Sequence, residues 1–544
     1  MRTKRLSWVM GVSCCMLNLT VLSSCGGGGG GGGSPGLASQ SGSNNTLLST
    51  QIDTTASMTR AALQTQWLSQ YPPDQQALIG SPVCGVQVNK FTYATVGGQG
   101  EPTSASGALM LPTGSSPQCQ GPRPVVLYAH GTAIDRAEDM SAVNDPNNPA
   151  YGTATRVALT FAAQGYIVIA PNYAGYDVST LPYAPYLNGQ QQSQDMVDGL
   201  TAGRQMLTLL NTGDSDNGQL FVTGYSQGGY VSMATLAKLD AEGRPATAGA
   251  PMSGPYAILA MGDEIFLGHP NYGGTAYLPL IANAYAHLKT GSISLSQVFS
   301  SNYPNAGTLF PGNVDYGGFS SLVTSGQIPT TAIFQSTPTG NAYLDGLNLP
   351  EGAPLGPLGF SPTNYLISTA FRAAYVRDAE TNPDGAAPPD GSAPNFNSPP
   401  PALPANPQFL LRQDLKANDL RNYTPSMPLL MCGGHNDPEV FWNQGAAAMT
   451  AVLDSKTTTD PSLRFATLDL DTTDLTTPYF ASFGLSPAQL STMQSVATQV
   501  QTAFTAYQSA VDQTNATVGL EAYHTDETPY CTVAARAFFN LYAN

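Results

Sequence analysis

The chain has 544 residues, of which 42% are hydrophobic and only 10% are charged, and its formal net charge is −16. This length and composition are typical of a folded protein and exclude a largely disordered chain. With 20 basic against 36 acidic residues, the sequence offers no basic surface for nucleic acid, and we expect no nucleic-acid partner.

Residues 1–24 have the layout of a secretory signal peptide. A basic start, with Arg2, Lys4 and Arg5, precedes an apolar stretch that is too short for a stable membrane span. The stretch ends in LSSC, which resembles the bacterial lipobox, and this resemblance implies that Cys25 is lipidated. The alternative is an ordinary secretory signal with an incidental cysteine. Residues 25–50 are rich in Gly and Ser and would form a flexible tether.

The residue after Cys25 is Gly26 rather than aspartate. By analogy with known lipoproteins, this favours an exported protein that is lipid-anchored to the outer membrane. Four cysteines remain beyond Cys25, an even number that suits disulfides in an oxidising compartment. Three pairings are possible, and position favours two disulfides, Cys84–Cys119 and Cys432–Cys531. The first pair flanks the first predicted hairpin, and the second lies beside the two later catalytic candidates described below.

The predicted elements begin with a helix over residues 54–70. Two segments follow, GVQVNKFTYATV and ASGALMLP, whose alternation of apolar with polar or small residues predicts a hairpin of exposed strands. Short apolar runs then alternate with helical segments, the runs being RPVVLYAH, GYIVIAPNY, QLFVTGYSQ and ATAGAPMSGP. This alternation predicts an α/β fold with a mostly parallel central sheet.

The same pattern divides the chain into a core and an insertion. We expect a first part of the core over residues 51–255, a cap insertion over 256–420 that is rich in Gly, Pro and Tyr, and the rest of the core over 421–544. A second, helical insertion is predicted over 475–515, with a capping box formed by Ser486 and Gln489 and an apolar face from Leu490 to Val511. Its role as a core-packing helix or as a lid is left open.

The segment GYSQGG matches the G-x-S-x-G pattern at a predicted strand-to-helix turn. In that context the serine, Ser226, is a candidate nucleophile held on a strained elbow, and an ordinary Gly-rich turn is the alternative. A serine nucleophile needs a base, and of five histidines His524 follows the final predicted strand, in an expected loop just ahead of a C-terminal helix. Asp437, after the penultimate strand, is the candidate acid, with Glu439 and Asp471 as rivals.

Acyl transfer also needs donors for the oxyanion. We expect the backbone N–H of Gln227 and that of Thr132 in this role, with Ala133 as the substitute for Thr132 and His130 as a structural residue. His435 could join Asp437 and Glu439 as metal ligands, but the loop offers no further partner. We therefore expect no metal site and no organic cofactor.

Five features together carry a family resemblance: HGT at 130–132, APNYAGY, GYSQGG, the large cap, and MPLLMCGGHNDPEV with its late histidine. Over about residues 80–540 the chain resembles the secretory lipase family of α/β-hydrolases. The resemblance implies serine carboxylester hydrolysis, often of lipid or acylglycerol esters, with a cap that shapes the acyl site. The chain departs from the family in the long stretch from Asp437 to His524 and in a cap with few long aliphatic runs.

The resulting expectation is a monomeric esterase or lipase that acts on small-molecule or lipid esters. Alternatives on the same fold are a polyester or feruloyl-type esterase, a serine peptidase and an acyltransferase. A non-catalytic surface binding module is the alternative outside enzymes.

Overall fold

The computed structural model describes residues 46–288, 293–312, 319–384, 398–400, 403, 406–472 and 483–543, with the side chains of 514–518 excepted. The predicted signal peptide, Cys25 and most of the predicted tether lie outside these residues. Within these ranges, no helix combines the length and the apolar character needed to cross a bilayer.

The described residues contain eleven strands and fifteen α-helical segments. The strands are β1 Asp53–Met58, β2 Gly85–Val96, β3 Pro102–Thr113, β4 Pro122–Ala129, β5 Ile167–Pro171, β6 Ser215–Tyr225, β7 Ala248–Met252, β8 Phe334–Gln335, β9 Phe360–Ser361, β10 Leu429–Gly433 and β11 Phe465–Asp469. The helices are α1 Arg60–Ala62, α2 Pro73–Ile79, α3 Tyr151–Thr160, α4 Gly189–Leu210, α5 Gln227–Ala241, α6 Ile258–Phe266, α7 Gly274–Tyr285, α8 Leu295–Val298, α9 Phe319–Thr324, α10 Ala342–Leu347, α11 Thr369–Thr381, α12 Leu410–Ala417, α13 Ala446–Thr457, α14 Pro487–Asp526 and α15 Thr528–Phe539.

Nine strands form one sheet in the order β1-β2-β3-β5-β4-β6-β7-β10-β11. The pairs β1–β2, β2–β3 and β3–β5 are antiparallel, and every pair from β5 to β11 is parallel. Parallel strands need crossover connections, and these place helices on both faces of the sheet. The predicted α/β class with a mostly parallel sheet is therefore confirmed.

The two faces of the sheet bury separate hydrophobic cores. In β4, Val125 and Leu127 face one core, which also contains residues of α4, α5 and the segment between β7 and β10. Val126 and Tyr128 face the other core, which also contains residues of α3, α14 and α15. The alternation follows from the two-residue period of a strand.

Two sequence predictions for residues 54–113 are wrong in part. The segment expected to be helical over 54–70 is helical only over 60–70. Residues 53–58 form the edge strand β1 and not the start of a helix, because this threonine-rich segment pairs with β2 over Val86–Lys90. The hairpin of β2 and β3 is present, but β3 is largely buried instead of exposed. It is covered because β5 pairs with its second edge and α4 packs on its face.

Helix α14 begins with the predicted capping box, in which Ser486 and Gln489 exchange side-chain and backbone hydrogen bonds. On its apolar face, Met493, Val500 and Phe504 are at most 1% exposed and belong to one of the two cores of the sheet. Of the two roles left open for this helix, these contacts favour core packing over a lid.

The segment between β7 and β10 contains α6 to α12 and the short parallel pair β8–β9. Buried ion pairs hold it together. Arg412, which is 0% exposed, bonds to Asp263 at 2.7 Å and to Asp378 at 2.8 Å. Arg421 bonds to Asp384 and Asp419, each at 2.8 Å. Such pairs are costly to break one partner at a time, because the remaining charge stays buried.

Candidate active site

The strand-to-helix turn around Ser226 has the backbone geometry of a nucleophile elbow. Strand β6 ends at Tyr225 and α5 begins at Gln227, so that Ser226 stands alone between them with φ 61° and ψ −124°. A positive φ is strained for a residue with a Cβ and persists only where the surroundings enforce it. Gly228 allows the tight approach, since a Cβ there would lie 2.0 Å from the carbonyl oxygen of Ala129.

A continuous hydrogen-bond chain runs from Ser226 to a buried carboxylate. The Nε2 atom of His524 lies 2.8 Å from Oγ of Ser226, and its Nδ1 atom lies 2.6 Å from Oδ2 of Asp437. His524 and Asp437 are each 5% exposed. The chain brings together a hydroxyl, a base within reach of its proton, and a carboxylate that fixes the orientation of the base.

Asp437 is oriented by its own loop after β10. Its Oδ1 atom accepts the backbone N–H groups of Glu439 at 2.8 Å and of Val440 at 3.1 Å. This local turn directs the other carboxylate oxygen towards His524. The disulfide Cys432–Cys531 joins β10 to α15 with a Cα–Cα distance of 5.6 Å. It therefore links the strand before Asp437 to the helix that follows His524.

His524 lies on a helix, whereas the sequence led us to expect a loop. Helix α14 continues to Asp526, so that His524 occupies its last turn. The segment has no Gly or Pro between Gly519 and Pro529 that would end the helix earlier. The second predicted disulfide, Cys84–Cys119, is also present, with a Cα–Cα distance of 5.5 Å.

The two rival acids bind other groups. The carboxylate of Glu439 accepts the hydroxyl of Tyr277. The carboxylate of Asp471 accepts the hydroxyl of Tyr523 and the backbone N–H of Asn436. Neither carboxylate hydrogen-bonds to His524 among the contacts of the described residues.

His435 does not group with Asp437 and Glu439, as the rejected metal-site interpretation would have required. Its Nδ1 atom lies 2.8 Å from Asp469 and 3.8 Å from Asp471, in a cluster where His435 is exposed and both aspartates are partly buried.

The pKa of His524 reflects opposing effects. Burial lowers it, but the negative charge of Asp437 and the hydrogen bond to that carboxylate raise it, as does the nearby Glu439. The net result raises the pKa of His524 from 6.5 to about 10. The imidazolium that forms when His524 accepts a proton is thus strongly favoured at this position.

Two backbone N–H groups are available near Ser226 for an oxyanion. Gln227 occupies the first position of α5, where an N–H has no acceptor within the helix and the helix dipole favours negative charge. Thr132 follows Gly131, whose Cβ position would lie 3.6 Å from Cβ of Ser226. Thr132, Ser226 and Gln227 line the same pocket, and the role of the two N–H groups as oxyanion donors stays a prediction.

His130 is buried under this loop. Its ring nitrogens lie 2.8 Å from the carbonyl oxygen of Gly131 and 3.1 Å from that of Asn172, and its ring stacks on Tyr173. Burial lowers the pKa of His130 to about 4, so that its imidazole is neutral near pH 7. These contacts agree with the structural role expected for it.

Two pockets of different chemistry meet at Ser226. The first has a cavity volume of about 60 Å³ and mainly aliphatic walls. Its apolar lining includes Ile258, Met261, Ile265, Leu278, Leu411 and Leu415. The second has a cavity volume of about 220 Å³ and is lined by Ser226 and His524 together with polar side chains. These polar residues are Thr153, Arg156, Thr525 and Thr528.

Sequence analysis missed a hydrogen-bonded group next to His524 that consists of Tyr225, Ser253 and Glu527. Glu527 is buried beside the imidazole, with Oε1 at 3.8 Å from Nδ1, and it contacts the hydroxyl groups of Tyr225 and Ser253. The available signal was the spacing, because residues three apart on a helix lie on one face. The spacing of His524 and Glu527 was not recognised, because a loop and not a helix was expected around His524.

Comparison with known proteins gives one family match and several structural matches. Residues 153–269, which include Ser226, match the model of the prolyl oligopeptidase family. The crystal structure of a ligand-bound form of the rice cell wall degrading esterase LipA from Xanthomonas oryzae is similar with a TM-score of 0.58 and 24% identity. That match covers 85% of this chain and 98% of the esterase.

A second structural match is a putative hydrolase from Legionella pneumophila, with a TM-score of 0.52 and 19% identity over 75% of this chain and 89% of that one. No curated protein matches the sequence. Together with the sheet order and the elbow at Ser226, these matches show that the chain has the α/β-hydrolase fold, and they support a serine hydrolase.

Proposed function

We propose that the chain is a serine carboxylester hydrolase with Ser226 as nucleophile, His524 as general base and acid, and Asp437 as the orienting carboxylate. The observation that carries this proposal is the hydrogen-bond chain from Oγ of Ser226 through both ring nitrogens of His524 to Asp437, at 2.8 and 2.6 Å. It is supported by the strained backbone of Ser226 and by the donors beside it.

In the proposed reaction, Oγ of Ser226 bonds to the ester carbonyl carbon while its proton passes to Nε2 of His524. The carbonyl oxygen takes up negative charge and accepts the N–H groups of Gln227 and Thr132. Collapse of this intermediate breaks the bond to the alcohol oxygen, which leaves with the proton from His524. Water then repeats the sequence on the acyl-enzyme, releasing the acid and restoring the serine.

The two pockets support an assignment of the two halves of the ester. The aliphatic pocket suits the acyl chain, since burial of apolar surface contributes about 25 cal/mol per Å². The polar pocket, with its threonines and Arg156, suits a hydrated or hydroxyl-bearing alcohol half. We therefore propose small-molecule or lipid esters as substrates.

The test is hydrolysis of p-nitrophenyl esters from acetate to palmitate by the wild type and by Ser226→Ala. We expect serine-dependent turnover, and a rate for Ser226→Ala that is lower by about 10⁴-fold or more. A fluorophosphonate probe that labels the wild type but not the variant would support the same nucleophile. Undiminished turnover by Ser226→Ala would overturn the assignment.

A serine peptidase is the second candidate, favoured by the match of residues 153–269 to the prolyl oligopeptidase family. The same two proteins should be assayed on peptide p-nitroanilides. A kcat/KM that is higher on the anilides than on every ester would favour the peptidase over the esterase.

We also propose that the protein is exported and anchored to the outer membrane by a lipid on Cys25, on the basis of the signal-like start, the LSSC segment and the Gly-rich run that follows. Replacement Cys25→Ser should move the protein from the membrane fraction to the soluble fraction, because the lipid supplies the anchor. Cell fractionation measures this, with Cys14→Ser as the control within the signal. Membrane retention of Cys25→Ser would exclude the lipid anchor.

A further inference from the structure

A second carboxyl group, besides that of Asp437, is buried against the imidazole of His524. Glu527 is 0% exposed and lies one helical turn after the histidine. Its Oε1 atom lies 2.7 Å from the hydroxyl oxygen of Tyr225 and is also in contact with the hydroxyl of Ser253. The hydroxyl of Tyr225 in turn contacts the backbone carbonyl oxygen of His524.

The number of protons in this network identifies the state of Glu527. Three oxygen–oxygen contacts need three protons, but Tyr225 and Ser253 supply only one hydroxyl proton each. The carbonyl oxygen of His524 can only accept, so it takes the proton of Tyr225. The oxygen of Tyr225 must then accept from Glu527, which is possible only when that carboxyl group carries a proton.

An ionised Glu527 fits these contacts poorly. The single hydroxyl proton of Tyr225 would then have to satisfy both the carbonyl oxygen of His524 and Oε1 of Glu527. One of these two close contacts would lack a proton. The other oxygen, Oε2, is buried and has no hydrogen-bond partner among the described residues. A Cβ at position 434 would lie 2.9 Å from it, so that Gly434 packs closely over this oxygen. Burying the C=O oxygen of a neutral acid without a hydrogen-bond partner costs less free energy than burying an unpartnered oxygen of a charged carboxylate.

The electrostatics of the site act in the same direction. Burial raises the pKa of Glu527 well above its usual value, and the negative charge of Asp437 raises it further. Two adjacent buried carboxyl groups that share one histidine cannot both ionise easily.

We propose that Glu527 is a neutral carboxylic acid that acts as a positioning residue. It donates to Tyr225, which holds the main chain of His524, while Asp437 remains the carboxylate that contacts the imidazole. Tyr225 directly precedes Ser226, and Ser253 directly follows β7. The network thus joins the elbow, the sheet and the helix that bears the base. Its effect on catalysis rests on the proposed function, whereas the protonation state does not.

Replacement Glu527→Gln is the sharpest test, because an amide has the shape of the acid, can donate to Tyr225 and carries no charge. We expect the acid limb of the pH profile of kcat/KM to move by less than about 0.3 pH unit. If Glu527 were ionised, its removal would lower the pKa of His524, and the limb would move down by about one pH unit or more. A shift of that size would overturn the proposal. Asp437→Asn serves as the positive control and should lower kcat strongly.

Infrared difference spectra near pH 8 give a readout that does not depend on activity. Subtracting Glu527→Gln from the wild type should reveal the C=O band of a carboxylic acid. The matched control, Glu521→Gln, changes an exposed glutamate of the same helix and should reveal carboxylate bands instead. Carboxylate bands in the Glu527 difference would overturn the proposal.

Tyr225→Phe provides a second route in case Glu527→Gln does not fold. Loss of the phenol oxygen removes the acceptor of Glu527, so that the acid C=O band should shift. A shift confined to carboxylate bands would contradict the proposal. Labelling of the wild type by a fluorophosphonate tests the ester-hydrolase function separately, so that the two failures can be told apart.

Discussion

At the scale of single residues, the site places a base among three carboxyl groups. Burial lowers the pKa of His524, but the charge of Asp437 and its hydrogen bond raise it, and Glu439 raises it further. With its pKa raised in this way, His524 accepts a proton readily, but at low pH it is already protonated and cannot act as a base. The protonation states of the neighbouring acids therefore set the pH range in which the enzyme can work.

We predict that the acid limb of kcat/KM lies between pH 6.5 and about 10, above the ordinary histidine range, since the pKa of His524 is raised to about 10. Below its pKa, Nε2 carries a proton and cannot accept that of Ser226, so the rate rises with pH through this value. A rate profile from pH 5 to 10 on a neutral ester measures this. A plateau already reached at pH 6 would contradict it, provided that circular dichroism shows an intact fold throughout.

Sequence reasoning selected Ser226, Asp437 and His524 as candidates because each has a signal in chain order. Ser226 has a glycine motif, and the other two follow the last two strands. Glu527 and Tyr225 carry no such signal. Their roles depend on contacts between α14, β6 and β7, which no local pattern specifies.

At the scale of elements, the elbow works because α5 meets the end of β4 without side chains between them. Gly228 sets this distance, since its Cβ position lies 2.0 Å from the carbonyl oxygen of Ala129. Strand β4 is hydrogen-bonded on both edges, to β5 and to β6. It therefore cannot easily move away from a side chain added at position 228.

We predict that Gly228→Ala lowers the free energy of unfolding by about 2 kcal/mol through overpacking. It should also lower kcat/KM by about 100-fold, because a shift of about 1 Å misplaces the nucleophile. Denaturant unfolding and ester hydrolysis measure the two effects.

Gly152→Ala is the control, in helix α3 with no atom within 4 Å of the added methyl group. It should raise stability by about 0.5–1 kcal/mol and leave the rate unchanged. Equal rates for the two variants would contradict the role given to Gly228.

The elements themselves were predictable to different degrees. The buried parallel strands and their helices follow from short apolar runs alternating with amphipathic segments. Strand β1 was mistaken for a helix because its six residues, DTTASM, gain strand structure by pairing with β2 and not from their own pattern.

At the scale of the whole molecule, the two disulfides have different relations to the site. Cys432–Cys531 closes a loop of 99 residues and links the strand before Asp437 to the helix after His524. Cys84–Cys119 closes a loop of 35 residues beside the hairpin of β2 and β3.

We predict that replacing Cys432 and Cys531 together by serine costs about 2–5 kcal/mol of stability. It should also lower kcat, because the segments that carry Asp437 and His524 lose the disulfide that links them. The same double replacement at Cys84 and Cys119 should lower stability but leave kcat within about twofold. Thermal unfolding and ester hydrolysis at 25 °C distinguish the two. An equal loss of kcat in both double variants would contradict the link between this disulfide and the site.

The insertion between β7 and β10 was predictable as an interruption but not in its internal structure. Its Gly-, Pro- and Tyr-rich sequence lacks a clear period, and its organisation depends on buried charges such as Arg412 with Asp263 and Asp378. Arg412 and Asp263 are 149 positions apart, and single-sequence patterns do not report such a pair.

The nucleophile and its base are 298 residues apart in the chain. The strands that build the elbow are therefore synthesised long before His524 leaves the ribosome. Until α14 has docked and brought its last turn to the sheet, Ser226 has no base. On the proposed mechanism, the chain therefore becomes active only after this last turn has docked.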